Sequence, residues 1–118
     1  MTVVAMAAMV TMAATGDKDA VFDTVFARTI FVTNDAGNVV VGLSATDSGN
    51  GLVYTQSAKG KLLVKLTATE GDYGAVMTYQ SNSKELVQLT ANDNGGIIDV
   101  FNKTGEGIAQ MHADEYGN

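Results

Sequence analysis

The sequence predicts an all-β fold, an antiparallel β-meander of four consecutive hairpin repeats of about 23 residues each. Three observations predict it. A Val-x-Leu-x-Ala pattern begins at Val41, Val64 and Val87 and returns as Ala-x-Met-x-Ala at Ala109, with spacings of 23, 23 and 22 residues. A turn column, Gly37, Gly60, Ser83 and Gly105, and an inter-unit column, Gly51, Gly74 and Gly96, run in the same register. Within each unit apolar residues alternate with a period of two, which is the signature of a half-buried strand and not of a helix.

Each element follows from these columns. Val41, Leu43, Val64, Leu66, Val87, Leu89 and Met111 are expected on one face of their strands, buried. Gly42, Ser44, Lys65, Thr67, Gln88, Thr90, Gln110 and His112 alternate with them and belong to the other face. The partner strands carry Ile30, Val53, Val76 and Ile98, a β-branched column suited to a pleated surface. Their opposite face is apolar too, with Tyr54, Met77, Tyr79 and Phe101 the leading interface candidates.

The links Asn34–Asn38, Ser57–Lys61 and Asn102–Glu106 each open with a turn-former and place Gly fourth. That is the form of a type I turn closed by a left-handed Gly bulge, a short hairpin connection. Gln80–Lys84 keeps the length but has Ser83 for Gly, so Asn82 is expected to take the left-handed position. The inter-unit links Asp47–Gly51, Glu70–Gly74 and Asp93–Gly96 are equally short. A parallel β-solenoid with a coil of the same length is the alternative architecture; the bulge turns favour hairpins. The units are 27–50, 51–73, 74–95 and 96–118 of a β-repeat domain spanning 27–118. Asp114–Asn118 matches the start of a further inter-unit turn, so the repeat reads as continuing or as ending on an uncapped edge.

Residues 17–26 read as a polar linker and an opening strand, and residues 1–16 as a separate apolar helix. The run Val3–Ala14 is too short to span a bilayer, which takes about 20 residues. It has the length of a signal-peptide core or a truncated anchor, although no positively charged residue precedes it. Membrane attachment is therefore assigned to residues 3–14, and the chain is expected to be exported or membrane-anchored; the alternative is a buried Ala/Met-rich helix packing on the β domain.

Composition excludes several functions. The net charge of −6 argues against a nucleic-acid partner. No Cys is present and His112 is the sole His, so thiol chemistry and His-cluster metal sites are out. No catalytic residues and no cofactor are assigned. The acidic column Asp47, Glu70, Asp93 and Glu115 is the one weak metal candidate, because carboxylates with loop carbonyls are Ca²⁺ chemistry. The same residues are ordinary turn formers. His112 shares its column with Ser44, Thr67 and Thr90 and is expected to face solvent. Lys59, Lys61, Lys84 and Lys103 fall at the hairpin-turn end of the strands and the acids at the other end, a polarity suited to edge recognition.

The stretch Asn102–Asn118, NKTGEGIAQMHADEYGN, resembles uncharacterised bacterial envelope-type β-hairpin repeat proteins, whose strand pairs read V…N-K-x-G-x…A-x-L-x-A-D-x-x-G-N-G. The run from Phe22 and Val25 through Ile30 and Val32 to Gly37 is similar to the opening of that class. The resemblance covers about residues 22–118 and implies a location on the cell envelope or surface, with no activity attached. A looser similarity is to the shafts of trimeric phage tail fibres, which implies a homo-oligomer with three copies favoured. Ser83 for Gly, and the small Gly107–Ala109 stretch, depart from the pattern. The functional expectation is a non-enzymatic structural or adhesive surface module that self-associates. The alternative is a glycan- or Ca²⁺-binding β-repeat module.

Overall fold

The computed structural model describes residues 21–118. The apolar helix expected over residues 1–16, and linker residues 17–20, lie outside the described residues. Eight strands follow in chain order: β1 (Ile30–Thr33), β2 (Val39–Ala45), β3 (Gly51–Gln56), β4 (Leu62–Ala68), β5 (Gly74–Tyr79), β6 (Glu85–Asn92), β7 (Gly95–Phe101) and β8 (Gly107–His112). They form one open sheet in the order of the sequence, each strand antiparallel to the next. The antiparallel pairing rules out the parallel solenoid. No helix occurs among the described residues. Residues 21–29 carry no strand, so the opening strand expected within 17–26 is not formed in its described part; the sheet begins at Ile30.

The turns explain why sequence neighbours pair. In Asn34–Asn38 the Gly37 amide donates to the Asn34 carbonyl at 2.8 Å and the Asn34 amide to Asn38 O at 3.0 Å, with Gly37 at φ 81°. Asn34 Oδ1 accepts from the Ala36 and Asn38 amides at 3.1 and 3.0 Å, so the side chain satisfies turn donors the sheet cannot reach. Ser57 and Asn102 do the same in their hairpins. In Gln80–Lys84 the left-handed residue is Ser83 itself, at φ 67°, and not Asn82. The turn geometry places its fourth residue there whatever its identity, and Asn82 Oδ1 instead accepts from the Lys84 amide at 3.0 Å.

Two inter-unit turns repeat this form one residue earlier than the acid column suggests. They run Thr46–Asn50 and Thr69–Tyr73, with the threonine hydroxyl accepting at 3.1 and 3.2 Å. Their left-handed positions are Gly49 and Asp72. Asp114–Asn118, after β8, is a further turn of this type, with Gly117 at φ 79°.

Each hairpin within a unit carries a β-bulge. Pairing steps from Val32↔Val41 to Thr33↔Val39, passing over Val40, and likewise passes over Leu63, Leu86 and Ile108. The skipped residue is aliphatic in every unit. Such bulges bend and twist the strand locally.

Register then sorts the side chains into two faces. Ile30, Leu43, Val53, Leu66, Val76, Leu89, Ile98 and Met111 pair in succession and form one aliphatic row across the whole sheet. Beside it runs a row of Val32, Val41, Thr55, Val64, Thr78, Val87, Val100 and Ala109. The expected core residues therefore do share one face, but they are not buried. Leu43, Leu66 and Leu89 are 41%, 42% and 42% exposed and Met111 is 69% exposed. The reason is the missing second layer: the sheet does not fold over on itself, and none of the described residues covers this face. Ala75, 4% exposed, is the one buried apolar residue among those described.

Candidate functional site

The opposite, mixed face is built from the other half of the same strands. Phe31, Gly42, Tyr54, Lys65, Met77, Gln88, Asp99 and Gln110 pair in succession across it. Three of the four interface candidates meet here. Tyr54 and Met77 flank Lys65, and the Tyr79 hydroxyl donates to Met77 Sδ at 3.2 Å. Phe101, opposite Gly107, lies farther along the sheet. All four are half-buried, because long neighbours lie over one another.

Gly42 is a residue the sequence reading passed over. It is buried, and a Cβ there would run into the ring of Tyr54. The Tyr54 ring therefore lies across the backbone of β2, in the space a side chain would take. The position repeats as Lys65, Gln88 and Gln110, so nothing in the column singled it out as the small member of an aromatic pair.

Some polar groups on this face pair, whereas the buried Thr67 and Thr90 hydroxyls have no partner among the described residues. Gln110 Nε2 donates to Asp99 Oδ1 at 2.7 Å. Glu85 sits opposite Tyr79. Partial burial raises the Glu85 carboxyl above its ordinary pKa; Asp99 adds repulsion, and Lys65 opposes both. Burial also raises the Tyr79 phenol, with the Glu85 charge a smaller cause. His112 pairs with Ile97 at the edge of this face and is exposed, as a solvent-facing strand residue should be.

The acidic column is not drawn into a site. Asp47, Glu70, Asp93 and Glu115 are exposed turn residues, spread along one end of the strands. Among the described residues, no three His, Cys, Asp or Glu side chains lie close enough to hold a metal ion. Asp93 has a structural partner instead: the Tyr73 hydroxyl donates to Asp93 Oδ1, tying neighbouring inter-unit turns together and raising the Tyr73 phenol above its ordinary value. At the opposite end of the strands, Glu106 accepts from Asn102 Nδ2 at 2.7 Å and from the Thr104 hydroxyl at 3.0 Å, which lowers its carboxyl pKa. The lysines of the hairpin turns and the acids of the inter-unit turns do fall at opposite ends, because a meander alternates its turns.

No described helix is long and apolar enough to cross a membrane. No protein-family model matches the chain, and no curated protein matches it.

Proposed function

We propose that this chain is a non-enzymatic structural or adhesive module that acts by self-association, with three copies favoured, on a bacterial envelope or surface. The observation that carries the reading is the uncovered aliphatic row, with leucines about two-fifths exposed, on a sheet only one layer thick. A face of that character on a single layer calls for a partner. Similar repeats with no distinctive convergent group are the makings of a scaffold, and among the described residues β1 and β8 have open edges to which further chains can add. The apolar run over residues 3–14 supports export or anchoring.

Sedimentation equilibrium on the full chain tests the reading. A mass three times that of the chain, dissociating on dilution, is the expected result; a monomer at every concentration overturns it. Fractionation of the native cell is expected to place the chain in the envelope, and recovery from the cytosol alone would remove that part of the proposal.

A second reading, glycan binding, has one observation in its favour. Tyr54, Tyr79 and Phe101 share the mixed face with Lys65, Gln88 and Asp99, and rings beside amides and carboxylates are the chemistry that holds a sugar. Binding of a labelled chain to a panel of bacterial polysaccharides, lost in Tyr54→Ala, would support it; no binding to any of them would end it. The Ca²⁺ alternative gains nothing from the dispersed acids.

A further inference from the structure

We infer that the interface is the aliphatic face, and that what covers it is the same face of the other copies of this chain, turned inward around the assembly axis. The inference rests on the self-association reading and adds to it which side of the sheet is hidden. It reverses the expectation that Tyr54, Met77, Tyr79 and Phe101 make the interface.

Three observations carry it. The first is area. Seven inter-strand gaps of ~4.8 Å, and strands of about six residues at ~3.3 Å each, give a face of roughly 700 Å². That exceeds the largest apolar patch of a typical monomer, about 300–600 Å², and approaches the ~800 Å² that each partner gives a stable interface.

The second is charge. The paired rows of the aliphatic face contain no ionisable side chain, and their polar members are Thr55 and Thr78. A surface without charge loses little on desolvation and meets its own copy without repulsion. The mixed face carries Lys65, Glu85 and Asp99, which would all have to be desolvated in a contact.

The third is the inter-unit glycine column. Gly51, Gly74 and Gly96 pair with Ala45, Ala68 and Ala91 on the aliphatic face, beside the large row. None has a positive φ, and a Cβ added at any of them meets nothing within 4 Å. Among the described residues nothing requires glycine there, and glycine weakens a strand. The sheet of a neighbouring copy, packed about 10 Å away against this strip of Gly and Ala, supplies the missing reason. Gly42 on the mixed face is the contrast: its smallness is explained inside the chain by Tyr54.

The test uses Gly74→Val in the full chain, with sedimentation equilibrium and circular dichroism. Valine suits an isolated strand, so the β spectrum is expected to persist while self-association weakens by at least about tenfold. Association of unchanged strength overturns the inference. A second measurement separates face from assembly. The chain has no Cys, so Leu66→Cys and Lys65→Cys each present one thiol, on opposite faces of β4. At a chain concentration where sedimentation shows about nine-tenths of the chain associated, the Leu66→Cys thiol is expected to react with maleimide about tenfold more slowly than it does when diluted, since only the free fraction reacts. The Lys65→Cys thiol is expected to react equally fast at both concentrations. Protection of Lys65→Cys alone in an associated chain sinks the face assignment and leaves self-association standing. A monomer at all concentrations sinks both.

Discussion

On one side of β4 stand Val64 and Leu66; on the other, between them, stands Lys65. The same alternation runs through the sheet and makes two surfaces that reach stability differently. The mixed face covers itself. Its long side chains lie over their neighbours, Tyr54 over Gly42 and Tyr79 against Met77, and Gln110 pairs with Asp99, while the Thr67 and Thr90 hydroxyls stay without a partner among the described residues. The aliphatic face has shorter side chains that stand up from the sheet and leave leucines about two-fifths exposed. A flat row of branched aliphatics has no reach sideways, so its burial has to come from outside the layer. Side-chain length, and not hydrophobicity, separates the face that is finished within one chain from the face that is not.

The largest expected effect lies on the unfinished face. Leu66→Ala is expected to cost about 2–5 kcal/mol where the face is covered, the usual cost of emptying a core position. Lys65→Ala, its neighbour on the other face, should cost well under that. Thermal melts at rising chain concentration check the pair: the Leu66→Ala penalty should grow with concentration and the Lys65→Ala penalty should not. Equal penalties would dissolve the distinction between the faces.

Next comes the finished face. Gly42→Val puts a branched side chain where the Tyr54 ring lies and is expected to destabilise by about 1–3 kcal/mol, as overpacking does. Because the clash is internal, the loss should be the same at every chain concentration. Adding Tyr54→Ala should recover part of it in denaturant melts, and no recovery would mean that Tyr54 is not the obstacle.

A turn substitution acts on neither face and calibrates both. Ser83 holds a left-handed φ of 67° where the equivalent positions are Gly37, Gly60 and Gly105. Ser83→Gly is expected to stabilise by about 1 kcal/mol, relieving the Cβ strain of that region. Chemical denaturation should show the gain at all concentrations alike.

The smallest effect separates the faces by pH. The folded state raises the Glu85 carboxyl above its unfolded value, so Glu85 binds its proton more tightly when folded. Its favourable contribution is complete below the unfolded pKa of ~4.3 and is lost as the pH rises through the higher folded value. Glu85→Gln is therefore expected to raise stability slightly near neutral pH, by less than about 1 kcal/mol for so exposed a group, and to change nothing in strong acid. Glu106 and Asp114 titrate with the opposite sign: their lowered values add stability above the unfolded pKa that fades as the pH falls. Substitutions in the uncharged aliphatic rows should leave the pH profile unchanged in shape. A changed profile would show that the faces are electrostatically coupled.

Much of this was legible in the residues. A period of two assigns every strand residue to a face, and turns that need a left-handed fourth residue place the hairpins, so strand number, order and face membership follow from local chemistry. The inter-unit turns were found one residue late because the repeating acids are conspicuous, whereas the capping hydroxyls of Thr46 and Thr69 are not. The bulge residues Val40, Leu63, Leu86 and Ile108 were hidden because a skipped aliphatic looks like any other strand residue until the pairing is seen. Only the tertiary structure could decide that the sheet stays open. Alternation states that a face is apolar but not what lies against it, and a layer closing on itself, a second layer from the same chain and an exposed face all share that pattern. Curvature and sheet-to-sheet contact decide between them, and both arise from pairing and packing over the whole sheet. For the same reason Tyr54 with Gly42, neighbours in space but twelve positions apart in sequence, became a packed pair only when β2 and β3 were set side by side.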